Sequence, residues 1–505
     1  MNKALQYILL FSIILTGFWF RFQGIRDNHS FWSDEAFVAT LSRDILTEKR
    51  SWGDAFYQYG YQRLHLITTT TSMKLFGFNE FAARLPPVLF GALSIIATYL
   101  LASQLSNRAG GILAAFVFAF SQLMLANDTQ AKTYSALTFL FVAVLYCLRL
   151  LEQKKKHTMM LHLIIIVLAS LATLFHYLGI LIWIPFLIYV LLTYRDTIFK
   201  LVRNPLYVLI GIAAVGLLGY IFHAGQIIAD FFQGETLSLF LFPVNNITYF
   251  RELVWRNYAF LSLPAFVGMF IGIYEKKYAW SVSLMLFLLF YSYLWIFRST
   301  HNIRYIVPFI GIIFVYFGVF WGKVAEKLFP KYQLLFITML IVILYMGGYK
   351  IVRKPNAYYS PNADLYGDVQ NADYKTFFSL LKKRYPDLSN TAVFTDWGDT
   401  QRWYLEEKPI NAYFMKRFIN EKPEPNIIDG VMMYGTLDQF LAEQKKYPKG
   451  LLVVEDWISF LPDEIKEYVK ENLTLEYRVE SLPQAAGDHW PLALYSWGME
   501  EEQNQ

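Results

Sequence analysis

The chain has one cysteine, Cys147, among 505 residues, so neither a disulfide framework nor a cysteine-rich metal site can be built. Charge is also scarce. Asp, Glu, Lys and Arg make up 17% of the residues, against about 25% in an average soluble protein. The net charge of +5 is modest and is not gathered into a basic patch, which argues against a nucleic-acid-binding protein. No small-residue cleavage site follows the first apolar run, residues 4–20. Arg21-Phe22-Gln23 stands there instead, which suits an uncleaved span better than a secretory leader. Hydrophobic residues, by contrast, reach 55% and aromatic residues 18%.

Apolar segments of bilayer-crossing length, about 17–25 residues, recur as far as residue 350. They lie near 5–20, 85–101, 109–125, 133–150, 160–175, 178–192, 205–222, 258–273, 278–297, 303–321 and 334–346. The chain therefore reads as a polytopic α-helical membrane protein with about eleven transmembrane helices by the window-length criterion. Those near His176-Tyr177 are joined by almost no loop. With Lys3 on the cytoplasmic side, alternate connections should be basic. They carry Arg108, then Lys154-Lys155-Lys156, then Arg195, Lys200 and Arg203, then Lys276-Lys277, then Lys323, Lys327 and Lys331. The outside then holds residues 21–84, 126–132, 223–257 and 298–302, and everything after 350.

Two outside stretches, 44–80 and 231–256, mix aromatic with charged residues as helices lying in a membrane interface do. Trp52, Phe56, Tyr57, Tyr59 and Tyr61 belong to the first. Aromatic anchoring alone accounts for most of this pattern. After residue 350 no segment is long and apolar enough to span. Strand-like runs at 391–395 and 450–454 alternate with helix-like runs at 374–385, 437–447 and 464–471, which open near Asp373, Thr436 and Asp463. The expected organisation is a membrane domain, 1–350, and a soluble extracytoplasmic α/β domain, 351–505, without a metal or nucleotide motif.

The stretch that organises the chain is Asn28-His29-Ser30-Phe31-Trp32-Ser33-Asp34-Glu35-Ala36. A solvated loop has no need of Phe31 and Trp32, and lipid would not tolerate Asp34 and Glu35 unpaired. A working carboxylate at the membrane–water boundary fits both facts. Other polar residues fall at the outside ends of spans. They are Asp128, Lys132 and Tyr134 in the second outside turn, His176 and Tyr177 in the third, and His301 and Arg304 in the last. Carboxylates and cations gathered at one membrane face suit an anionic substrate and a proton acceptor. Taken one by one, each has a plainer explanation, such as a solvated loop carboxylate or an arginine snorkelling to headgroups.

The stretch Phe31-Trp32-Ser33-Asp34-Glu35-Ala36 resembles the acidic first-loop motif of polyprenol-phosphate-dependent glycosyltransferases of the GT-C fold. This superfamily includes the protein mannosyltransferases (family 39-like) and the bacterial transferases that put aminoarabinose on lipid A. The run Lys74-Leu75-Phe76-Gly77-Phe78-Asn79-Glu80-Phe81-Ala82-Ala83-Arg84-Leu85-Pro86 is similar to the superfamily's entry into its second span. Residues 127–134 are similar to a third segment, with Asp128 near its second acidic position. The resemblance covers roughly the first 190 residues, and the topology as far as 350 in general form. Two departures stand out. Gln62-Arg63-Leu64-His65-Leu66 lacks the Pro-Pro pair that often follows a histidine there, and Lys132 stands near a common arginine position.

The resemblance implies a GT-C fold and a sugar donor carried on polyprenyl phosphate. It makes Asp34 the general base, with Glu35 and Asp128 as catalytic partners. Arg304, Lys132, His176 and Tyr134 would bind the donor phosphate and stabilise the leaving group. His65, Tyr177 and His301 would touch acceptor or sugar. Direct attack would invert the anomeric carbon, and no ligand set demands a divalent metal, although one is compatible with the site. The acceptor would be a lipid, a glycan or a protein. Two rival readings are a lipid-linked glycan ligase and a transporter. A transporter would more often place ionisable residues near the bilayer midplane. A bare scaffold for the tail leaves Asp34-Glu35 unexplained. Sequons at Asn28, Asn246 and Asn472 are no more than chance predicts. The scarcity of cysteine and the lack of organelle-retention signals point to a bacterial inner membrane, with the site and the tail outside.

Overall fold

The computed structural model describes residues 3–26, 30–60, 62–153, 158–221, 258–274, 280–282, 284–289, 306–347, 350–355, 372–396, 398–406, 408–426, 429–455, 460–481 and 491–499. The expected span near 278–297 lies largely outside them. So do the outside stretch 231–256, Arg304 and His301.

The protein is a multi-pass membrane protein. Its helices are α1 (Lys3–Arg26), α2 (Ser33–Leu46), α3 (Trp52–Tyr59), α4 (Arg63–Phe76), α5 (Glu80–Leu105), α6 (Arg108–Phe120), α7 (Gln122–Asp128), α8 (Tyr134–Glu152) and α9 (Thr158–Phe175). A 3-10 turn at Tyr177–Ile182 leads into α10 (Trp183–Val202) and α11 (Pro205–Ile221). Then come α12 (Ala259–Tyr274), α13 (Val307–Leu328) and α14 (Gln333–Gly347). Among the described residues, six helices are long and apolar enough to cross a membrane. The 24 residues of α1 span about 36 Å at 1.5 Å per residue, enough for the hydrocarbon core. Leu5, Ile8, Phe11 and Leu15 on α1, and Leu206, Leu209 and Ile212 on α11, are exposed. Such apolar flanks suit lipid as their solvent.

The expected span at 109–125 is not one helix. The chain breaks at Ser121, whose backbone is extended (φ −64°, ψ 127°). Ser121 bridges to Ile351 in antiparallel fashion. The Gln122 N–H donates to the Lys350 carbonyl at 3.0 Å, and the Val352 N–H donates to the Phe120 carbonyl at 2.8 Å. A second strand segment thus supplies hydrogen bonds that a continuous helix would have made internally. In α5, Pro86 has no N–H to give the Ala82 carbonyl one turn back. The Ser72 hydroxyl donates to that oxygen instead, at 2.6 Å.

By contacts the chain divides into two compact units, and not by a single cut at residue 350. The first comprises 1–24, 61–65 and 85–367, and the second 25–60, 66–84 and 368–505. Helices α2 and α3 therefore belong with the C-terminal region. This follows from the polar chemistry of residues 30–43, which bind the tail through backbone and side-chain hydrogen bonds detailed below.

The C-terminal part of the second unit is a mixed α/β layer structure. In order it contains α15 (Tyr374–Arg384), β1 (Ala392–Thr395), α16 (Asp399–Leu405), β2 (Ala412–Phe414), β3 (Glu424–Pro425) and β4 (Met432–Tyr434). It continues with α17 (Leu437–Gln444), β5 (Gly450–Glu455), α18 (Asp463–Asn472), β6 (Thr474–Val479) and β7 (Leu492–Trp497). The sheet order is β3-β4-β2-β1-β5-β7-β6. Strands β1, β2, β4 and β5 run parallel, and β3, β6 and β7 join antiparallel. Successive strand residues point to opposite faces, and both faces are covered. Val393, Leu451 and Val453 pack with Phe377, Phe378 and Leu381 of α15. Phe394, Leu452 and Val454 pack with Phe440 of α17 and Ile465 and Val469 of α18. The strands expected at 391–395 and 450–454 are β1 and β5. The Asp373 and Thr436 side chains cap α15 and α17 as expected. Asp463 is instead the first residue of α18, with Pro462 at the capping position.

Candidate active site

The acidic motif lies at the start of α2, in the second unit. Trp32 is the N-cap residue in extended conformation, so Asp34 and Glu35 fall in the first turn, where the helix dipole favours negative charge. Their fates then differ. Glu35 is fully buried and reaches back so that the Trp32 N–H donates to its Oε2 at 3.0 Å. This is the return half of a capping box. Arg84, also fully buried, binds both its oxygens, with Nε–Oε1 at 2.7 Å and Nη2–Oε2 at 2.8 Å. Arg84 further donates to the Ser30 carbonyl at 3.1 Å and lies 5.0 Å from the centre of the Phe31 ring. A bidentate Arg–carboxylate pair fixes orientation as well as charge. Glu35 therefore holds the motif in place, and Asp34, one residue before it, is exposed.

The same unit explains the second motif. Asn79 caps α5 by accepting the Ala82 N–H at 2.8 Å. Glu80 and Arg84, four residues apart on one helical face, then reach two different partners. Arg84 takes Glu35, while Glu80 accepts the Tyr404 hydroxyl at 2.8 Å and lies 3.4 Å from the Lys375 amine.

At the carboxyl ends of β1 and β5 a buried pair of acids meets. The Glu455 N–H donates to both oxygens of Asp396 at 3.3 Å, and the Gln401 amide donates to Glu455 Oε1 at 3.1 Å. Burial, with the neighbouring Glu455 charge, pushes the Asp396 carboxyl well up. Burial likewise pushes Glu455 up to about 7.

The first unit holds a different polar cluster, around α7. Asp128 is buried and its Oδ2 accepts from Arg21 Nε at 2.8 Å. Arg21 Nη1 donates to the Gly17 and Ala119 carbonyls, both at 2.9 Å. Gly91 leaves room for this carboxylate, since a Cβ there would stand 2.5 Å from the Asp128 carboxyl. His65 donates through Nε2 to the Ala131 carbonyl at 3.0 Å. His176 accepts the Leu178 N–H on Nδ1 at 3.1 Å, which leaves the ring proton of the neutral form on Nε2. Its ring lies 5.6 Å from Tyr134 and 4.3 Å from Tyr177. Lys132 is buried beside them in sequence. Asp128, Lys132, Tyr134, His65, His176 and Tyr177 thus all belong to the first unit, and Asp34 and Glu35 to the second. Among the described residues, no three His, Cys, Asp or Glu come together to hold a metal ion.

A family model described as dolichyl-phosphate-mannose-protein mannosyltransferase matches residues 64–218. ArnT from Cupriavidus metallidurans, in its apo crystal structure, is similar over 98% of both chains at 12% identity, with a TM-score of 0.60. The chain has the GT-C glycosyltransferase fold. ArnT bound to undecaprenyl phosphate is similar over 98% of both chains at 14% identity, with a TM-score of 0.55. The archaeal oligosaccharyltransferase AglB from Archaeoglobus fulgidus, in complex with an inhibitory peptide and a dolichol-phosphate, is similar at 12% identity and a TM-score of 0.55. That match covers 89% of this chain and 70% of AglB. No curated protein matches the chain by sequence.

Within this GT-C chain, Arg84 and Arg21 are residues that sequence reasoning passed over. Each had a visible signal. An arginine at the end of an apolar run, or four residues after a helix-starting acid, needs a buried anion if it is not to snorkel.

Proposed function

We propose that the chain moves a sugar from a polyprenyl-phosphate donor to an acceptor on the outer membrane face, with Asp34 as general base. The observation that carries this reading is the division of labour between neighbours. Glu35 is locked by Arg84, and the adjacent Asp34 is presented to solvent from a fixed helical turn. The similar structures support the donor class, since ArnT is bound to undecaprenyl phosphate and AglB to a dolichol-phosphate.

In this reading an acceptor hydroxyl or amine attacks the anomeric carbon. Its proton passes to the Asp34 carboxylate as the new bond forms. The bond from the anomeric carbon to the phosphate oxygen breaks, and polyprenyl phosphate leaves with the electron pair. A single displacement inverts the anomeric centre. Cations stabilise the leaving phosphate as its charge grows, a role we give to Lys132 and Arg304, with His176 and Tyr134 as hydrogen-bond donors. His65, Tyr177 and His301 take sugar or acceptor contacts. Asp128 acts through its pair with Arg21, which orders the turn before Lys132. The N-terminus is cytoplasmic, and the reaction face and the C-terminal α/β region are extracytoplasmic.

The test is sugar transfer by the purified protein in lipid, wild type against Asp34→Asn, with a panel of undecaprenyl-phosphate hexoses and pentoses. Loss of general-base catalysis should cut turnover by about 10²–10⁴ while donor binding persists. Undiminished turnover in the variant would remove Asp34 from the chemistry. The likeness to AglB favours one second reading, transfer of a preassembled glycan. Activity with a lipid-linked oligosaccharide, and with none of the monosaccharide donors, would select it.

A further inference from the structure

We infer that the short helix α16 of the C-terminal region is a positioning element for Asp34, with Asp399 and Tyr404 as its working side chains. The inference rests on the reading of Asp34 as base and goes beyond it by giving the tail a part in the reaction. All the contacts that carry it lie within the second unit.

Four residues of α16 bind the backbone and side chains that flank Asp34. The Ser33 hydroxyl donates to Asp399 Oδ2 at 3.0 Å. The Phe31 N–H donates to the Tyr404 hydroxyl oxygen at 2.8 Å, and that hydroxyl donates on to Glu80. Arg43, in the last turn of α2, donates to the Arg402 and Trp403 carbonyls at 3.0 and 3.1 Å. Those carbonyls sit at the end of α16, where a helix has no internal donors for them. The Trp403 ring meets Phe31 edge-on at 5.2 Å and lies 5.1 Å from the Arg43 guanidinium.

The helix is itself held. Gln401 binds Glu455 at the end of β5. Arg402 binds Asp399 at 2.8 Å and Asp429 at 3.5 Å. The covered sheet thus transmits its rigidity through one seven-residue helix to both ends of α2. A site side chain placed within a fraction of an ångström needs such support.

Asp399 also acts at a distance. Its carboxyl is pushed up by burial and pulled down by Arg402, and the Asp34 charge is among its electrostatic neighbours. Charge interactions are reciprocal, so a negative Asp399 makes Asp34 harder to ionise. Asp399→Asn keeps the shape and an acceptor for Ser33 while removing that charge.

The experiment measures kcat, KM and the pH profile of kcat/KM for the full chain in lipid. The probe is the undecaprenyl-phosphate sugar that wild type turns over fastest. Asp399→Asn should move the acid limb of the profile to lower pH by a few tenths of a unit or more. Ser33→Ala and Tyr404→Phe should lower kcat about tenfold with KM within about twofold, as loss of positioning does. Ser33→Ala serves as the mild variant should Asp399→Asn fold poorly, since it removes the Ser33–Asp399 hydrogen bond and leaves the Asp399–Arg402 pair intact. An unmoved acid limb together with unchanged kcat would overturn the inference, as would losses that merely follow a fall in melting temperature. Asp34→Asn measured alongside separates the two ideas. A dead Asp34→Asn with silent α16 variants sinks only the positioning role, and an active Asp34→Asn sinks the base.

Discussion

Each compact unit contains an arginine fully buried against a carboxylate, and the two pairs are built differently. In the second unit Arg84 gives two nitrogens to both oxygens of Glu35 and also donates to the Ser30 carbonyl. In the first unit Arg21 gives Asp128 a single bond and spends the rest on helix carbonyls at Gly17, Ala119 and Phe118. The first arrangement is a clamp on an acid, and the second is a brace between helices that also neutralises an acid. The difference teaches that burial of a charge pair does not by itself say what the pair is for. The distribution of its hydrogen bonds does.

Breaking the clamp should have the largest effect. Arg84→Met leaves Glu35 charged, buried and unpaired, which costs about 3–5 kcal/mol. Thermal unfolding of the protein in nanodiscs should show it, and Glu35→Leu in the same chain should restore much of the loss. A recovery that fails would mean Glu35 has a second duty besides Arg84.

The buried acid pair Asp396–Glu455 sharpens the contrast further. Glu455 has a folded-state value of about 7 against an ordinary 4.5, so the folded state binds its proton more tightly than the unfolded one. Stability is then fully present below about pH 4.5 and falls as pH rises toward 7, by an amount on the order of 3 kcal/mol. Melting of the C-terminal region should drop by several degrees between pH 5 and pH 8. In Asp396→Asn the slope should flatten. A wild-type slope of opposite sign would show that Asp396 and Glu455 are ionised and paired with something else.

The smallest effect should come from Asp128→Asn. Arg21 loses its countercharge but keeps its carbonyl partners, and the new amide oxygen can still accept from its Nε, so the cost should be smaller, about 2 kcal/mol. A loss as large as that of Arg84→Met would make Arg21 a clamp as well.

Much of this was legible in the sequence, because the length of the apolar runs and the short apolar stretches that form β1 and β5 are local signals. Asp34 and Glu35 stood out because two acids beside Phe31 and Trp32 need a reason. Their unequal roles were not legible. Glu35 is chosen by an arginine 49 residues away, and Asp128 by one 107 residues away. No spacing rule reaches that far. Asp399 is further still, 366 residues from Ser33, in a helix with no motif. The break at Ser121 was invisible for a related reason. Residues 109–125 are apolar enough to be one helix, and only backbone pairing with 350–352 interrupts them.

That pairing sets an order of events during synthesis. Phe120, Ser121 and Gln122 enter the membrane early, but the carbonyl and N–H groups that complete them belong to Lys350, Ile351 and Val352. A buried backbone group left unpaired costs free energy comparable to a lost hydrogen bond. Until the ribosome has passed residue 352, the turn carrying Asp128 therefore lacks its final partners. A chain stopped short of that point would carry every residue of the polar cluster around α7 and still present an unfinished seam.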